Sequence, residues 1–358
     1  MSDLLLPSVR YPRLQVLANG APLTGVRDAE VSANSHYGAS RFSLTIALGA
    51  DPLWTAAYWS AQSSVILDVQ VAFMPASAPA NSATWVSLIL GAADTIEIEL
   101  PQQLVRVHGR DLTAALLTAR TQETFANQTS SEIVATIAAR HNLTAAVTPT
   151  GGLAGRYYEL EHDQLTLGQF SRASTEWDLM VFLAQQEGYD IFVEGSTLYF
   201  QPPTANPMSP DATLRPVATF NGPANLSELR MERCLALAGN IGVTVKSWNS
   251  RQGAAVTQSA GAADAASGQS YQLVRPNLLP DQATTLAQNW LGMLTQHERV
   301  ITARMPGELT LTPRSVVALE GTGTAFDQVY YVDTLDRQIR FDGGFVQRMR
   351  AKNSTVAQ

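Results

Sequence analysis

The sequence is poor in the residues that most often build catalytic and metal centres. It has one cysteine, Cys234, and five histidines in 358 residues. An internal disulfide is therefore excluded, and neither a CxxC pair nor a Cys/His array is available for zinc. A lone cysteine fits a chain that folds in a reducing compartment. We expect Cys234 to be a small buried apolar residue rather than a nucleophile.

Charge is also scarce. Asp, Glu, Lys and Arg make up 15% of the chain, against roughly 25% in an average domain. Two explanations stay open at this point: partners cover much of the surface, or the protein is an ordinary one rich in alanine and threonine. The net charge of −7 disfavours general binding to nucleic-acid phosphates.

Long apolar runs are missing as well. The N-terminal stretch MSDLLLPSVRYPRL carries Asp3 and an apolar run of only three residues, so we expect neither a signal peptide nor a membrane span there. No run of about 18 apolar residues occurs elsewhere in the chain. The sequence therefore predicts a soluble protein that is made in a cytoplasm.

Known catalytic signatures are absent from the chain, which has no G-x-S-x-G, phosphate-binding glycine loop or H-E-x-x-H. The densest polar cluster, Glu159–Asp163, holds a single histidine, so we interpret it as a solvated loop rather than a metal or acid–base site. Two acidic pairs have the residue types of glycosidase carboxylates, Asp333 with Asp336 and Glu97 with Glu99. Such pairs arise by chance in an acidic chain rich in β-structure.

The remaining histidines are scattered along the chain. His141 follows a predicted helix, where a histidine interacts favourably with the negative end of the helix dipole, and we expect it to act as a cap. His36, His108 and His297 stand alone, without a serine or cysteine motif to pair with. We therefore predict no catalytic, cofactor-binding or metal-ligating residue, and we do not expect an enzyme.

Four arginines lie close together near the C-terminus: Arg337, Arg340, Arg348 and Arg350. They are candidates for contact with an acidic partner surface. An exposed strand face explains the same pattern, and the sequence does not choose between the two.

Residues 1–110 are predicted to form a first β-barrel domain with one packed helix. Asn19-Gly20 indicates a tight hairpin. The residues of Ser64–Phe73 alternate between apolar and polar, as in a strand with one buried face. Asp51-Pro52 supplies the start of a short helix, Leu53–Gln62.

Residues 111–203 are predicted to form a small α+β domain. The segment Thr129-Ser130-Ser131-Glu132 is a capping box that starts a helix over residues 130–140. A second helix, Thr175–Glu187, ends at Gly188, and a hairpin follows it.

Residues 204–358 begin with a proline-rich linker and return to β-structure as a second barrel domain. Glycine, alanine and serine dominate residues 253–270, which predicts a flexible loop. One amphipathic helix, Gln282–His297, comes next. The last segment, Val300–Lys352, reads as a series of short strands that curls into a barrel and pairs its edges with identical copies.

The order of elements repeats along the chain: a β unit with one helix, an α+β unit, then a β unit with one helix. The fold class is therefore predicted as mainly β with an α+β insert, although the two β units share no residue-level repeat. Two equivalent barrels per chain in a three-fold ring give six similar surfaces.

Four stretches of sequence carry a resemblance to a known family: VRVHGRDLTAAL (Val105–Leu116), SSEIVATIAARHNL (Ser130–Leu143), Trp177–Pro203 and Val329–Asn353. In this order they resemble the tail hub proteins of contractile-tailed phages, of the late control protein D type. These are similar to the front part of type VI secretion spike proteins. The chain departs from the family pattern at Thr312-Pro313-Arg314 and at Gln338.

The resemblance implies the structural hub of a phage or phage-like tail baseplate, located in the virion and assembled in the host cytoplasm. Three copies would imitate a six-fold ring that matches the hexameric tail tube on one face and the trimeric spike protein on the other. Baseplate wedge and tape-measure proteins are further expected partners. DNA would pass through an acidic lumen without specific binding, and no membrane contact is expected.

The resemblance also indicates which elements meet the tube, namely the loops around Pro75–Ala83 and Gly321–Phe326. The helices Leu53–Gln62 and Gln282–His297 would pack as equivalent covers on the two barrels. Two alternatives stay open. One is a tail-tip cell-wall hydrolase that uses Glu159 or Asp163, and the other is a spike component of a type VI-like injection apparatus.

Overall fold

The computed structural model describes residues 11–74, 83–120, 123–154, 156–157, 165–167, 175–203, 209–237, 241–249, 253–261, 268–275, 278–342 and 344–353. In these ranges the chain forms 22 strands and five helices. The prediction of a mainly β fold with an α+β insert is confirmed.

The first β unit alternates buried and exposed residues along most of its strands. On its fifth strand Leu67, Val69 and Val71 are fully buried, as the sequence pattern predicts. The predicted helix starts later than Leu53, because Thr55 is its N-cap and accepts a hydrogen bond from the amide of Tyr58. The elements are β1 (Tyr11–Ala18), β2 (Ala21–Leu23), β3 (Val26–Asn34), β4 (Arg41–Ala47), α1 (Ala56–Ala61), β5 (Ile66–Met74), β6 (Val86–Glu99) and β7 (Leu104–Asp111).

The α+β unit follows. The Thr129–Glu132 capping box is present, a second box joins Thr175 to Asp178, and Gly188 ends its helix in the left-handed region with φ 69°. The elements are α2 (Thr113–Thr118), β8 (Phe125–Ala126), α3 (Ser130–Arg140), β9 (Thr144–Val147), β10 (Arg156–Tyr157), β11 (Leu165–Leu167), α4 (Glu176–Glu187), β12 (Asp190–Glu194) and β13 (Thr197–Gln201).

The last unit contains one helix and nine strands among the described residues. The elements are β14 (Ala212–Leu214), β15 (Glu228–Arg233), β16 (Ile241–Asn249), β17 (Ala254–Gly261), β18 (Gln269–Val274), α5 (Pro280–Thr295), β19 (Arg299–Pro306), β20 (Val316–Leu319), β21 (Val329–Arg340) and β22 (Gly344–Lys352).

One 13-stranded sheet contains the main strands of both β units. Eleven strands follow the order β15-β19-β22-β21-β3-β4-β7-β6-β5-β1-β2, and the other two branch from it, since β20 pairs with β21 and β14 pairs with β20. The two units join where β21 pairs with β3 in antiparallel register from Thr334↔Asn34 to Arg340↔Asp28. Each unit keeps a hydrophobic core of its own. A third apolar cluster around Val71, Ile339 and Phe345 packs the two units against each other.

The segment predicted as a flexible loop, residues 253–270, contains strand β17 and the first two residues of strand β18. The two strands flank β16 in a separate three-stranded sheet. Small residues do not prevent this pairing, because the ladder uses main-chain groups and buries only Val256 deeply on β17. The loop prediction is therefore wrong for residues 254–261 and 269–270, and residues 262–267 lie outside the described ranges.

Helix α5 packs on this small sheet. Its buried residues Ala283, Leu286 and Ala287 meet Val243 and Val245 of β16. The core of the second β unit is built without the helix. The expectation that α5 covers the second barrel as α1 covers the first is wrong.

Candidate interaction surface

One face of the large sheet is polar across the eight neighbouring strands from β15 to β6. On β21, Leu335 and Ile339 point into the core, whereas Asp336 and Gln338 are on the opposite side. A groove of about 780 Å³ crosses this side. We call this side the charged face, and its charged groove residues are Glu30, Arg41, Asp94, Arg110, Glu228, Arg304, Asp336, Arg337 and Arg348.

Acidic and basic side chains on the charged face pair with each other. Arg110 Nε lies 2.6 Å from Asp94 Oδ2, and Arg304 Nη1 lies 3.0 Å from Glu228 Oε1. The hydrogen bond from Arg110 lowers the pKa of the Asp94 carboxyl. Exposed pairs of this kind each contribute at most about 1 kcal/mol to the free energy of unfolding. Their main effect is therefore to balance the charge of the face rather than to stabilise the fold.

A buried carboxylate, Asp333, lies on β21 where three parts of the chain meet. A β-bulge between Val332 and Thr334 turns it inward, and its side chain is fully buried. Four basic side chains and one hydroxyl surround it: His36 Nε2 at 3.2 Å, His297 Nε2 at 3.5 Å, Arg350 Nη1 at 3.6 Å, Lys352 Nζ at 3.0 Å and Ser35 Oγ at 3.1 Å.

These neighbours keep Asp333 ionised. Burial raises the pKa of this carboxyl, but the contacts from His297, His36 and Lys352 outweigh burial and hold its pKa far below the usual range. Asp333 therefore links the loop after β3, the end of α5 and strand β22 through one charge.

The acidic pairs seen in the sequence do not form paired carboxylates. Asp333 is enclosed by basic groups, whereas Asp336 accepts a hydrogen bond from Ser32 Oγ at 2.6 Å on the charged face. Glu99 pairs with Arg106 of the neighbouring strand. A carboxyl with a strongly lowered pKa does not serve as a general acid, so Asp333 has no such role.

Three histidines contact carboxylates: His36 and His297 contact Asp333, and His141 contacts Glu176. His141 is the C-cap residue of α3, as predicted, and its Nε2 lies 2.5 Å from Oε2 of the buried Glu176 at the start of α4. His108 lies on β7 and lines the groove of the charged face. The Glu159–Asp163 cluster lies outside the described residues.

The four C-terminal arginines do not form one cluster, because strand alternation and the bulge separate them. Arg337 is buried, and its Nη2 donates to the carbonyls of Glu308 and Leu311. Burial lowers the pKa of Arg337 to about 10. Arg350 contacts Asp333 but is partly exposed on the same side of β22 as Arg348, and Arg340 is exposed on β21.

Cys234 is exposed, which corrects the expectation of a buried residue. It follows β15, the edge strand, and its amide donates to the carbonyl of Glu298 at 2.7 Å. An edge position leaves one side of the chain uncovered, so the thiol is not enclosed.

We expect Cys234 to react with a thiol-specific reagent in the folded, unassembled chain at a rate within about threefold of the unfolded chain, because accessibility controls the reaction when the thiol is not activated. Mass spectrometry before and after denaturation measures this ratio. Labelling that requires denaturant would show that Cys234 is covered, for example in an assembly.

The cluster around Asp333 was not predictable from the sequence. Its members lie up to about 300 positions apart, and no spacing rule joins them. The one available signal was an acid inside the apolar run Tyr330–Leu335, since a buried carboxylate requires partners.

Among the described residues, no group of three or more His, Cys, Asp or Glu side chains is arranged to hold a metal ion. No helix there is both long and apolar enough to cross a membrane.

The fold is shared with phage tail proteins. A tail protein from Neisseria meningitidis MC58 superposes with a TM-score of 0.69 at 13% identity, covering 96% of each chain. The 43 kDa tail protein of prophage MuSo2 from Shewanella oneidensis gives 0.68 at 13% identity, covering 95% of this chain and 98% of that one. A type VI secretion system component from E. coli gives 0.52 at 10% identity, covering 95% and 77%.

These similarities define a tail-protein fold, and they confirm the resemblance read from the sequence. The Alg8 N-terminal domain family model matches residues 89–273, just over half of the chain, and the chain belongs to this family. The matched region runs from β6 to β18 and includes the whole α+β unit. No curated protein matches the sequence.

Proposed function

We propose that the protein is the structural hub of a phage or phage-like tail baseplate, a homotrimer that adapts a hexameric tail tube to a trimeric spike. The observation that carries the proposal is the end-to-end match to tail proteins, which covers both β units and the α+β unit together. A match to one unit alone would indicate only a shared domain.

The sheet offers a physical route to a ring. Its two ends are β15 and β2, and β2 covers only Val16–Ala18 of β1. Unpaired strand edges present rows of free main-chain groups that another chain can pair with. Pairing of β15 in one copy with the β1–β2 edge of the next is head-to-tail, and such contacts close into rings.

Pseudo-six-fold symmetry requires each chain to supply two similar units. Both β units place their strands in one continuous sheet, so three chains would present six sheet segments around an axis. The proposal also divides the chain into three domains, with boundaries after residues 110 and 203. We place the charged face toward the lumen, and its balanced charge would let DNA pass without binding it specifically.

The tube and spike would meet loops at the ends of the strands. The Gly321–Phe326 loop packs beside residues 217–222, where Phe220 is fully exposed and Val217 is half-exposed. Exposed apolar tips of this kind favour burial against a partner. The other expected contact, Pro75–Ala83, lies almost entirely outside the described residues. We further propose that baseplate wedge and tape-measure proteins are partners, that the protein is located in the virion, and that it is not an enzyme.

The oligomeric state tests the proposal directly. Light scattering coupled to gel filtration at micromolar concentration is expected to give three times the mass of the chain, and negative-stain images are expected to show a ring. A stable monomer at that concentration would contradict the hub.

One substitution separates ring closure from folding. Along β15 the amide of Cys234 points at β19, and amides alternate in direction along a strand, so the amide of Met231 points away from β19. We expect Met231→Pro to leave β15 paired to β19 and to convert the trimer to a monomer, as the scattering mass will show.

Met231→Thr is the matched control, because it keeps the main-chain donor and a strand-forming side chain. It is expected to remain trimeric. If both variants stay trimeric with unchanged circular dichroism, the β15 edge does not form the ring contact.

A further inference from the structure

A second cavity, of about 400 Å³, lies where the loop after β3, the end of α4, helix α5 and strand β21 meet. Its walls include Tyr37, Tyr189, Trp290 and Met293. None of the residues lining the charged groove lines this cleft. A cavity of this size and lining at a junction between structural units is typical of a binding site.

Two buried donors at the cleft have no hydrogen-bond partner in the described part of the chain, Arg314 Nε and Asn289 Nδ2. Arg314 is held in place, because its guanidinium carbon lies 3.7 Å from the centre of the Phe192 ring and its Nη1 donates to the carbonyl of Pro313. Buried donors normally have an acceptor. An oxygen of a bound molecule would supply one here.

The cleft also holds an acid, Asp190, whose charge interacts with Arg314 although the two side chains form no ion pair. Burial raises the pKa of Asp190 and lowers that of Arg314. Perturbed groups gathered in a cleft are typical of ligand sites. A carboxylate in this position calls for a ligand that donates a hydrogen bond.

A suitable ligand must therefore offer an acceptor, a donor and an apolar body. The end of a peptide chain has all three, because a terminal carboxylate accepts, the preceding backbone N–H donates, and the last side chain is free to be apolar. Arginine binds carboxylates with strong, charge-assisted hydrogen bonds. Capture of a chain terminus is an established mode of peptide recognition.

We propose that this cleft binds the C-terminal end of a peptide whose last residue is apolar or aromatic. The carboxylate binds Arg314 and Asn289, a backbone N–H donates to Asp190, and the last side chain packs against Tyr189 and Trp290. The proposal does not rest on the tail role, since a monomer has the complete cleft.

Calorimetric titration with three probes tests the ligand class. N-acetyl-Leu-Phe with a free carboxylate is expected to bind at one site per chain, and the same peptide with a C-terminal amide is expected to bind at least tenfold more weakly. Inorganic phosphate is expected to bind more weakly than the free acid. Absence of binding by the free acid, equal binding of the amide, or equal binding of phosphate overturns the proposal.

Two variants locate the site. Arg314→Gln is expected to weaken binding of the free acid at least tenfold, and Asn289→Ala severalfold. Arg348→Gln, an arginine on the charged face outside the cleft, is the matched control and is expected to leave the affinity unchanged. Asn289→Ala carries the test alone if Arg314→Gln does not fold, and wild-type affinity in the folded variants contradicts the site.

Discussion

Asp333→Asn is expected to destabilise the folded chain by about 2–4 kcal/mol, because a buried carboxylate is lost from among four basic side chains that are themselves partly exposed to solvent. The melting temperature is expected to fall by roughly 3–5 °C, because a chain of this length has a large entropy of unfolding. Thermal unfolding followed by circular dichroism measures the change. The loss would confirm that one carboxylate holds three parts of the chain together.

Asp336→Asn is the matched control, since Asp336 lies three positions away and makes one exposed hydrogen bond to Ser32. Its expected effect is below about 1 kcal/mol. If both variants lose the same free energy of unfolding, removing any acid from β21 is destabilising, and the cluster around Asp333 contributes no more to stability than an exposed acid does.

The loss of stability caused by Asp333→Asn is expected to become smaller as the pH falls. The pKa of Asp333 is lower in the folded chain than in the unfolded one, where it is about 3.9. Its contribution to the free energy of unfolding is therefore complete above about pH 5 and declines as the pH falls below 4, because the unfolded chain takes up the proton. The difference between wild type and Asp333→Asn is expected to narrow between pH 5 and pH 3, and a gap that widens would contradict this account.

Trp177→Ala is expected to cost about 3–5 kcal/mol, by opening a cavity where the α+β unit meets the first β unit. Trp177 is buried on α4, and its Nε1 donates to the carbonyl of Tyr37 at 3.2 Å in the loop after β3. Limited proteolysis is expected to cut the variant between the two units sooner than wild type, and thermal unfolding gives the loss of stability.

Two controls separate packing from the hydrogen bond. Trp177→Phe keeps most of the apolar volume and loses only the donor, so its expected cost is about 1 kcal/mol. Trp248→Ala removes a largely exposed ring on the small sheet and is expected to cost less than about 0.5 kcal/mol. If Trp248→Ala costs as much as Trp177→Ala, the contact between the units is not the cause.

Local features of the fold were predictable because they depend on neighbouring residues. The Thr129–Glu132 capping box and the stop at Gly188 require only a few residues of context, and both are present. The alternation on β5 likewise marks a buried face by itself. The C-cap residue His141 at the end of α3 was predictable for the same reason.

The candidate sites were harder to predict, because burial and distant partners define them. Cys234 was expected inside and lies outside, since its exposure depends on β15 being the last strand of the sheet. Arg337 and Arg348 look equivalent in the sequence, yet strand alternation buries the first and exposes the second. Arg314 and Asn289 share one cleft only because α5 packs beside α4.

The sequence alone determined the class of fold, the positions of the well-capped helices and the resemblance to tail proteins, because periodicity and capping act over a few residues. Only the tertiary structure decided that β21 pairs with β3, that residues 254–261 form a strand, and that Asp333 lies among four basic groups. These features depend on main-chain pairing and charge contacts between segments far apart in the chain, and no local pattern of residues encodes them.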